Sequence, residues 1–215
     1  MKSFLSEVSQ AIYSKHHNNL SNVVLVLPSK RAATILRNEF LTTVNITCIS
    51  PVIYSIEEFI EELANLKLVG NIQLLFEFYH LYKQLTPTDQ QENFYNFISW
   101  AQTLIQDFNE IDRYLIPSES FFTHLFNIKE LDQFHWTNSE DKTNLQQNYL
   151  NLWKKMHLYY RELNQHLSDM GLAYQGALYK EANKNCQQYL KNNGTLQHYF
   201  IGFNAKSVVF GRKGT

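Results

Sequence analysis

The residues best suited to chemistry are Ser29, Lys30 and Arg31, within the stretch "NVVLVLPSKRAATILRNEF" at 22–40. They follow a continuous apolar run and open an alanine-rich segment with helical spacing. A helix start offers unpaired N–H groups and a partial positive charge, both of which suit a phosphate. Two cations and a hydroxyl at the same place strengthen that potential for a nucleotide or a nucleic-acid backbone. The same residues also describe a helix capped by Ser29 with two solvated basic side chains. Both readings stand at the level of sequence.

A second concentration of charge is "DFNEIDR", with Asp107, Glu110, Asp112 and Arg113. A nuclease-like metal centre needs carboxylates converging from different elements. Here Asp107 and Glu110 lie on one amphipathic helix opposite Phe108 and Ile111, which predicts a solvated face. The eight histidines are scattered, and the neighbours His16 and His17 must point to different sides of a helix. Cys48 and Cys186 are far apart and form no metal or redox motif. The sequence contains no G-x-x-x-x-G-K-[ST] loop; "GRKGT" at 211–215 lacks its spacing. It contains no G-x-S-x-G, no H-E-x-x-H and no cysteine pair at zinc spacing. No catalytic residue, metal ligand or cofactor is therefore expected. Trp100 and Trp153 fall within helical patterns, where packing is their expected role.

These residues belong to a chain of 215, enough for one large domain, or a core with an insertion, to bury its own apolar surface. Aromatics make up 14%, which favours a folded chain. The net charge of -1 argues against a whole-molecule field that gathers nucleic acid, so any such contact must be local. The opening "FLSEVSQAIYSKHH" is broken by polar residues and is not a secretory core, and no apolar run reaches membrane-spanning length. A reducing cytoplasm is the expected location. The glycosylation-type sequences at Asn45 and Asn193 are then coincidental.

The elements that must position the basic turn are legible in part. Residues 2–17 read as a helix with Phe4, Leu5, Val8, Ile12 and Tyr13 on one side. "VVLVLP" reads as a strand buried on both faces, ended by Pro28. Ala32, Ala33, Leu36 and Phe40 stripe the next helix. "NITCIS" at 45–50 reads as a second strand, and Ser55 with Glu58 has capping-box spacing before Phe59 and Leu63. From about 70 to 190 the pattern is helical almost throughout. It includes a helix carrying Ile72 to Tyr82, long helices carrying Phe94 to Ile111 and Tyr149 to Leu167, and a shorter one after Pro117. Residues 129–143 are polar and ambiguous, Gly171 reads as a helix stop, and 174–190 as a further helix. "HYFIGF" at 198–203 returns to strand character. The organisation expected is an α/β core in 1–69, a helical insertion in 70–192, a returning core strand in 193–207 and a flexible tail in 208–215. The fold class is α/β: a partial parallel sheet with a large all-helical insertion, helix-dominated overall, its last strand rejoining the first.

"VVLVLPSKRAATILRNEF" resembles the motif of superfamily 1 DNA helicases in which a strand, a polar turn and an alanine-rich helix start contact single-stranded DNA. More broadly, "LSNVVLVLPSKRAA", "SIEEFIEEL", "LLFEFYHLYK", "DFNEIDRYL", "LWKKMHLYYREL", "GLAYQGALYKE" and "YFIGFNAKS" resemble, in order, the N-terminal region of AddB/RecB-like proteins. Those proteins join a helicase-like, often inactivated region to a PD-(D/E)XK nuclease domain and act in DNA repair. The resemblance implies a P-loop-helicase-like sheet, with the helical block as the insertion that such helicases carry. It implies DNA contact through Ser29, Lys30 and Arg31. It also implies that Met1 stands about where the ATP-binding loop belongs, and that "FIGFNAKS" replaces the strand end that holds magnesium, with Gly202, Phe203 and Asn204 and no carboxylate. ATP hydrolysis is accordingly not expected. No "D…[DE]-x-K" arrangement follows, so the nuclease activity of that group does not transfer.

The function expected is that of a non-catalytic helicase-like domain of a DNA break-processing system. It would bind single-stranded DNA weakly or dock a partner subunit or a missing C-terminal region, without contacting membrane. The alternative is a protein–protein interaction module with no nucleic-acid role, and self-association through an open sheet edge fits either.

Overall fold

The computed structural model describes residues 3–16, 19–43, 49–124 and 142–203, the side chains of 43 and 142–154 excepted. The chain divides into two compact units, Met1–Asn65 with Glu181–Thr215, and Leu66–Lys180. The second begins a few residues before the helical block outlined from the sequence and ends inside a helix rather than after it.

The first unit is built around a parallel sheet. Helix α1 (Phe4–His16) leads to β1 (Val23–Leu27), α2 (Lys30–Thr43), β2 (Val52–Ser55) and α3 (Ile56–Ala64). The chain returns through the end of α8 (Gln175–Asn192) to β5 (Gln197–Phe200). The strand order is β2-β1-β5. Both pairings are parallel, with Val26 opposite Tyr54 on one side and Phe200 on the other. Every residue of β1 is 0–1% exposed, as a central strand covered on both faces requires.

Side chains alternate across the sheet. Val23, Leu25 and Leu27 pack with Ile12 of α1 and with Ala33, Leu36 and Phe40 of α2. Val24 and Val26 face the other way, on the side of Tyr54, His198 and Phe200. There the ring of Phe59 from α3 meets Tyr54, Tyr189, His198 and Phe200 at centroid distances of 5.8–6.1 Å. The layout follows from crossover handedness. The connection β1-α2-β2 moves in one direction across the sheet and the return to β5 in the opposite direction. Right-handed crossovers therefore place α2 on one face and α3 with the end of α8 on the other.

One expectation needs correction. The second strand is not at 45–50: residues 49–50 are not strand, and 45–48 lie outside the described residues. It is Val52–Ser55, directly after Pro51. Pro51 lacks a donor, and the paired residues begin with the first one that can join the ladder. As an edge strand with one well-covered face, β2 alternates in burial and shows no continuous apolar run.

The second unit is helical: α4 (Asn71–Leu85), α5 (Phe94–Arg113), α6 (118–124), α7 (Lys142–Asp169) and the first turns of α8. Its core is aromatic, with Phe78, Phe97 and Phe108 fully buried. Phe78 meets Phe97, Trp100 and Tyr159 edge-on at 5.2–6.1 Å, the geometry ring quadrupoles favour. The connection after α4 is stitched to that core. The Tyr82 hydroxyl accepts the Glu92 N–H at 2.8 Å, and Thr86 Oγ1 lies 3.1 Å from Tyr159 Oη. Trp100 packs on the core and donates its indole N–H to Glu92 at 3.0 Å. Trp153 lies outside the described side chains. Two short strands escape the sequence pattern: β3 (Lys67–Leu68) pairs in parallel with β4 (Leu172–Ala173). Two residues are too few to display alternation. Gly171, just before β4, has φ +70, as a stop in the left-handed region requires. Among the described residues, no helix is long and apolar enough to cross a membrane.

His198 gives the sheet a pH dependence. Its ring is packed against Phe59 and Tyr189, and burial lowers its pKa, partly offset by a backbone hydrogen bond at Leu196. The unfolded chain, with an ordinary value of about 6.5, then binds the proton more readily than the folded one. The stabilisation from neutral His198 is fully present above that pH and is lost as pH falls toward the depressed folded value. The urea midpoint of the parent is expected to fall more between pH 7.5 and pH 5 than that of His198→Phe; equal falls would show that this ring contributes nothing.

Candidate nucleic-acid interface

The connections leaving β1 and β2 depart to opposite faces of the sheet, so the carboxyl ends of these two neighbours border a crevice. Ligands of open α/β sheets bind at such reversals. The structure places Ser29, Lys30 and Arg31 on one lip of it, all exposed, at the start of α2. Ser29 is used as the cap: its Oγ accepts the Ala32 N–H at 3.2 Å and its carbonyl accepts the Ala33 N–H at 3.1 Å. The N–H groups of Lys30 and Arg31 precede the first helical bonds and remain available to an anion. Among the described residues neither basic side chain has a hydrogen bond or ion pair. The first turn of α2 holds no acidic residue.

The other lip is the start of α3, and it is closed to anions. Ser55 and Glu58 form a reciprocal capping box: Ser55 Oγ accepts the Glu58 N–H at 3.2 Å, and Glu58 Oε2 accepts the Ser55 N–H at 2.8 Å. The Ser55 backbone hydrogen bond lowers the Glu58 pKa, with smaller contributions from the charges of Lys30 and Arg37, so its carboxylate stays ionised. Arg37, seven residues from Lys30 and so on the same side of α2, donates to the Ile53 carbonyl. The crevice therefore presents one open helix start with mobile cations beside one occupied by a fixed carboxylate. That polarity admits a phosphate at α2 only. Across the sheet end, the Ile201 N–H bonds the Val26 carbonyl at 2.9 Å and Gly202, at φ +78, rests on Pro28. Asn204 lies outside the described residues.

The acidic cluster divides differently from its sequence reading. Asp107 is exposed and Glu110 half-buried, but Asp112 is fully buried and does not belong to a solvated face. Its carboxylate accepts from the hydroxyls of Tyr160 and Tyr174 and from Lys180 Nζ at 2.7 Å. Lys180 also donates to Tyr160 Oη at 2.7 Å, and Asn164 donates to Tyr174 Oη at 2.9 Å. Burial, then the nearby Asp112, raise both tyrosine pKa values. Burial opposes the Lys180 ammonium, but its bonds to Asp112 and Tyr160 outweigh that and raise its pKa. With its lone pairs engaged by three donors, Asp112 is a structural anchor and not a free base. Tyr160, Tyr174 and Lys180 were not recognised as partners from the sequence. One signal was present: Asp112 stands four residues after Phe108, on the apolar stripe of α5. Three stretches that carried the family resemblance, "DFNEIDRYL", "LWKKMHLYYREL" and "GLAYQGALYKE", meet at this network.

The remaining candidates separate. His16 Nε2 lies 2.9 Å from Tyr199 Oη, His17 is outside the described residues, and His166 pairs with Glu77 at 2.8 Å. Cys186 is a free thiol, and Cys48 lies outside the described residues. Among the described residues, no group of three or more His, Cys, Asp or Glu side chains could hold a metal ion. No protein-family model matches the chain, and no curated protein matches it.

Proposed function

We propose that this chain is a non-catalytic, helicase-like element of a cytoplasmic DNA break-processing system, of the kind found at the N-terminus of AddB/RecB-like proteins. Its basic turn, Ser29, Lys30 and Arg31, contacts the backbone of single-stranded DNA weakly, while other surfaces dock a partner subunit or further protein sequence. The observation that carries the reading is the position of that turn. It is exposed at the carboxyl end of the central parallel strand, on the open lip of the reversal crevice. Two cations give a modest, salt-sensitive attraction.

Fluorescence anisotropy with a labelled oligonucleotide at low salt is expected to show binding. Lys30→Ala with Arg31→Ala should reduce it and lower the salt slope by about two, one per lost phosphate contact. If the parent protein fails to bind at high micromolar concentration, the DNA role is removed.

A specific observation favours a second reading, that of a pure interaction module. Ile72, Phe76 and Tyr95 are 74%, 55% and 85% exposed in the helical unit. Exposed apolar surface of this kind marks interaction sites. Light scattering that finds an oligomer, together with absent DNA binding, would select this alternative.

A further inference from the structure

Within the helical unit, α5, the turn after it, α6 and α7 border a cavity of about 350 Å3, at the lower end of the range that holds small ligands. Phe108, Ile116, Phe121, Phe122 and Met156 make its walls, and Asp107 and Glu110 stand among them. Three features give this apolar site a negative bias. Asp107 has no hydrogen bond or ion pair among the described residues, and its burial by neighbouring groups raises its pKa. Glu110 has one loose partner, the exposed Arg113 at 3.9 Å. The carbonyl end of α5, which closes at Arg113, adds partial negative charge beside them. No cationic side chain lines the cavity.

We propose that this cavity binds a small amphipathic organic cation. The apolar body of the ligand lies against Phe121, Phe122 and Met156, and its ammonium faces Asp107 and Glu110. Aromatic walls suit such a ligand twice, through apolar burial and through their negative ring faces. An anion of the same shape meets two carboxylates and a helix carbonyl end, and is rejected.

The test uses the full chain with methyl-labelled methionine and three matched probes: 2-phenylethylammonium, 2-phenylethanol and 3-phenylpropanoate. A ligand of this size is expected to bind with a dissociation constant of about a millimolar. The ammonium should shift the Met156 methyl resonance saturably, bind at least about fivefold more tightly than the alcohol, and leave the carboxylate without measurable affinity. Asp107→Asn, at an exposed position, should keep the melting temperature and remove most of that preference. Ile116→Trp, which fills the cavity, should abolish the shift. The proposal fails if the ammonium gives no saturable shift, if alcohol or carboxylate binds as well, or if folded Asp107→Asn keeps the preference.

Discussion

Asp112→Ala is expected to lower the unfolding free energy by about 3–5 kcal/mol, the range for removing one partner of a buried ion pair. The carboxylate is 0% exposed and holds three donors, from Tyr160, Tyr174 and Lys180. Its removal strands two phenolic hydroxyls and an ammonium in a site shaped for an anion. The Lys180 side chain is 29% exposed and can turn partly to water, which places the loss toward the lower end of that range. Asp112→Asn keeps an acceptor and should fall between the parent and the alanine variant. Asp112→Leu combined with Lys180→Met should recover much of the loss, since a matched apolar pair replaces both charges. Urea unfolding followed by circular dichroism measures all three. A cost under about 1 kcal/mol for Asp112→Ala, the size of a surface effect, would mean that the network anchors nothing.

The second large effect is expected at Gly176, in the first turn of α8. A Cβ there would stand 2.2 Å from the Asn109 carbonyl oxygen, 3.0 Å from its carbon and 3.1 Å from the Arg113 nitrogen. These are backbone atoms of α5 and cannot swing aside as a side-chain tip can. The same glycine donates its N–H to Asn109 Oδ1 at 2.7 Å. Gly176→Ala must push the start of α8 away from α5, and that displacement also draws Tyr174 and Lys180 from Asp112. A loss of about 3 kcal/mol is expected, the upper end of the usual cost of overpacking. Alanine is the better helix former by about 1 kcal/mol, so the sign of the result is itself informative. Gly194→Ala serves as control: its nearest contact is an ordinary 3.5 Å and its φ is not left-handed. It should stay within about 0.5 kcal/mol of the parent. If Gly176 and Asp112 act through one junction, the double variant will lose less than the sum of the two single losses.

Both predictions rest on the joint of α5, α7 and α8, where the sequence reading was weakest. The helices themselves were legible, because their apolar residues recur at helical spacing within each segment. The buried strand β1 and the capping box at Ser55 were legible for the same local reason. The exact position of β2 was not, because two neighbouring stretches both carried strand-forming residues and only pairing with β1 chose between them. The pair β3–β4 was too short to leave a pattern.

The amino-acid sequence by itself determined the α/β opening, the helical block and the basic turn after β1. Each depends on residues a few positions apart, so periodicity and capping chemistry suffice to read it. Only the tertiary structure decided that Asp112 is an anchor and that the turn at Lys30 faces a carboxylate at Glu58. The partners of Asp112 lie 48, 62 and 68 residues away. Whether a charge is solvated or buried is set by what the rest of the chain packs against it, and no local spacing contains that information.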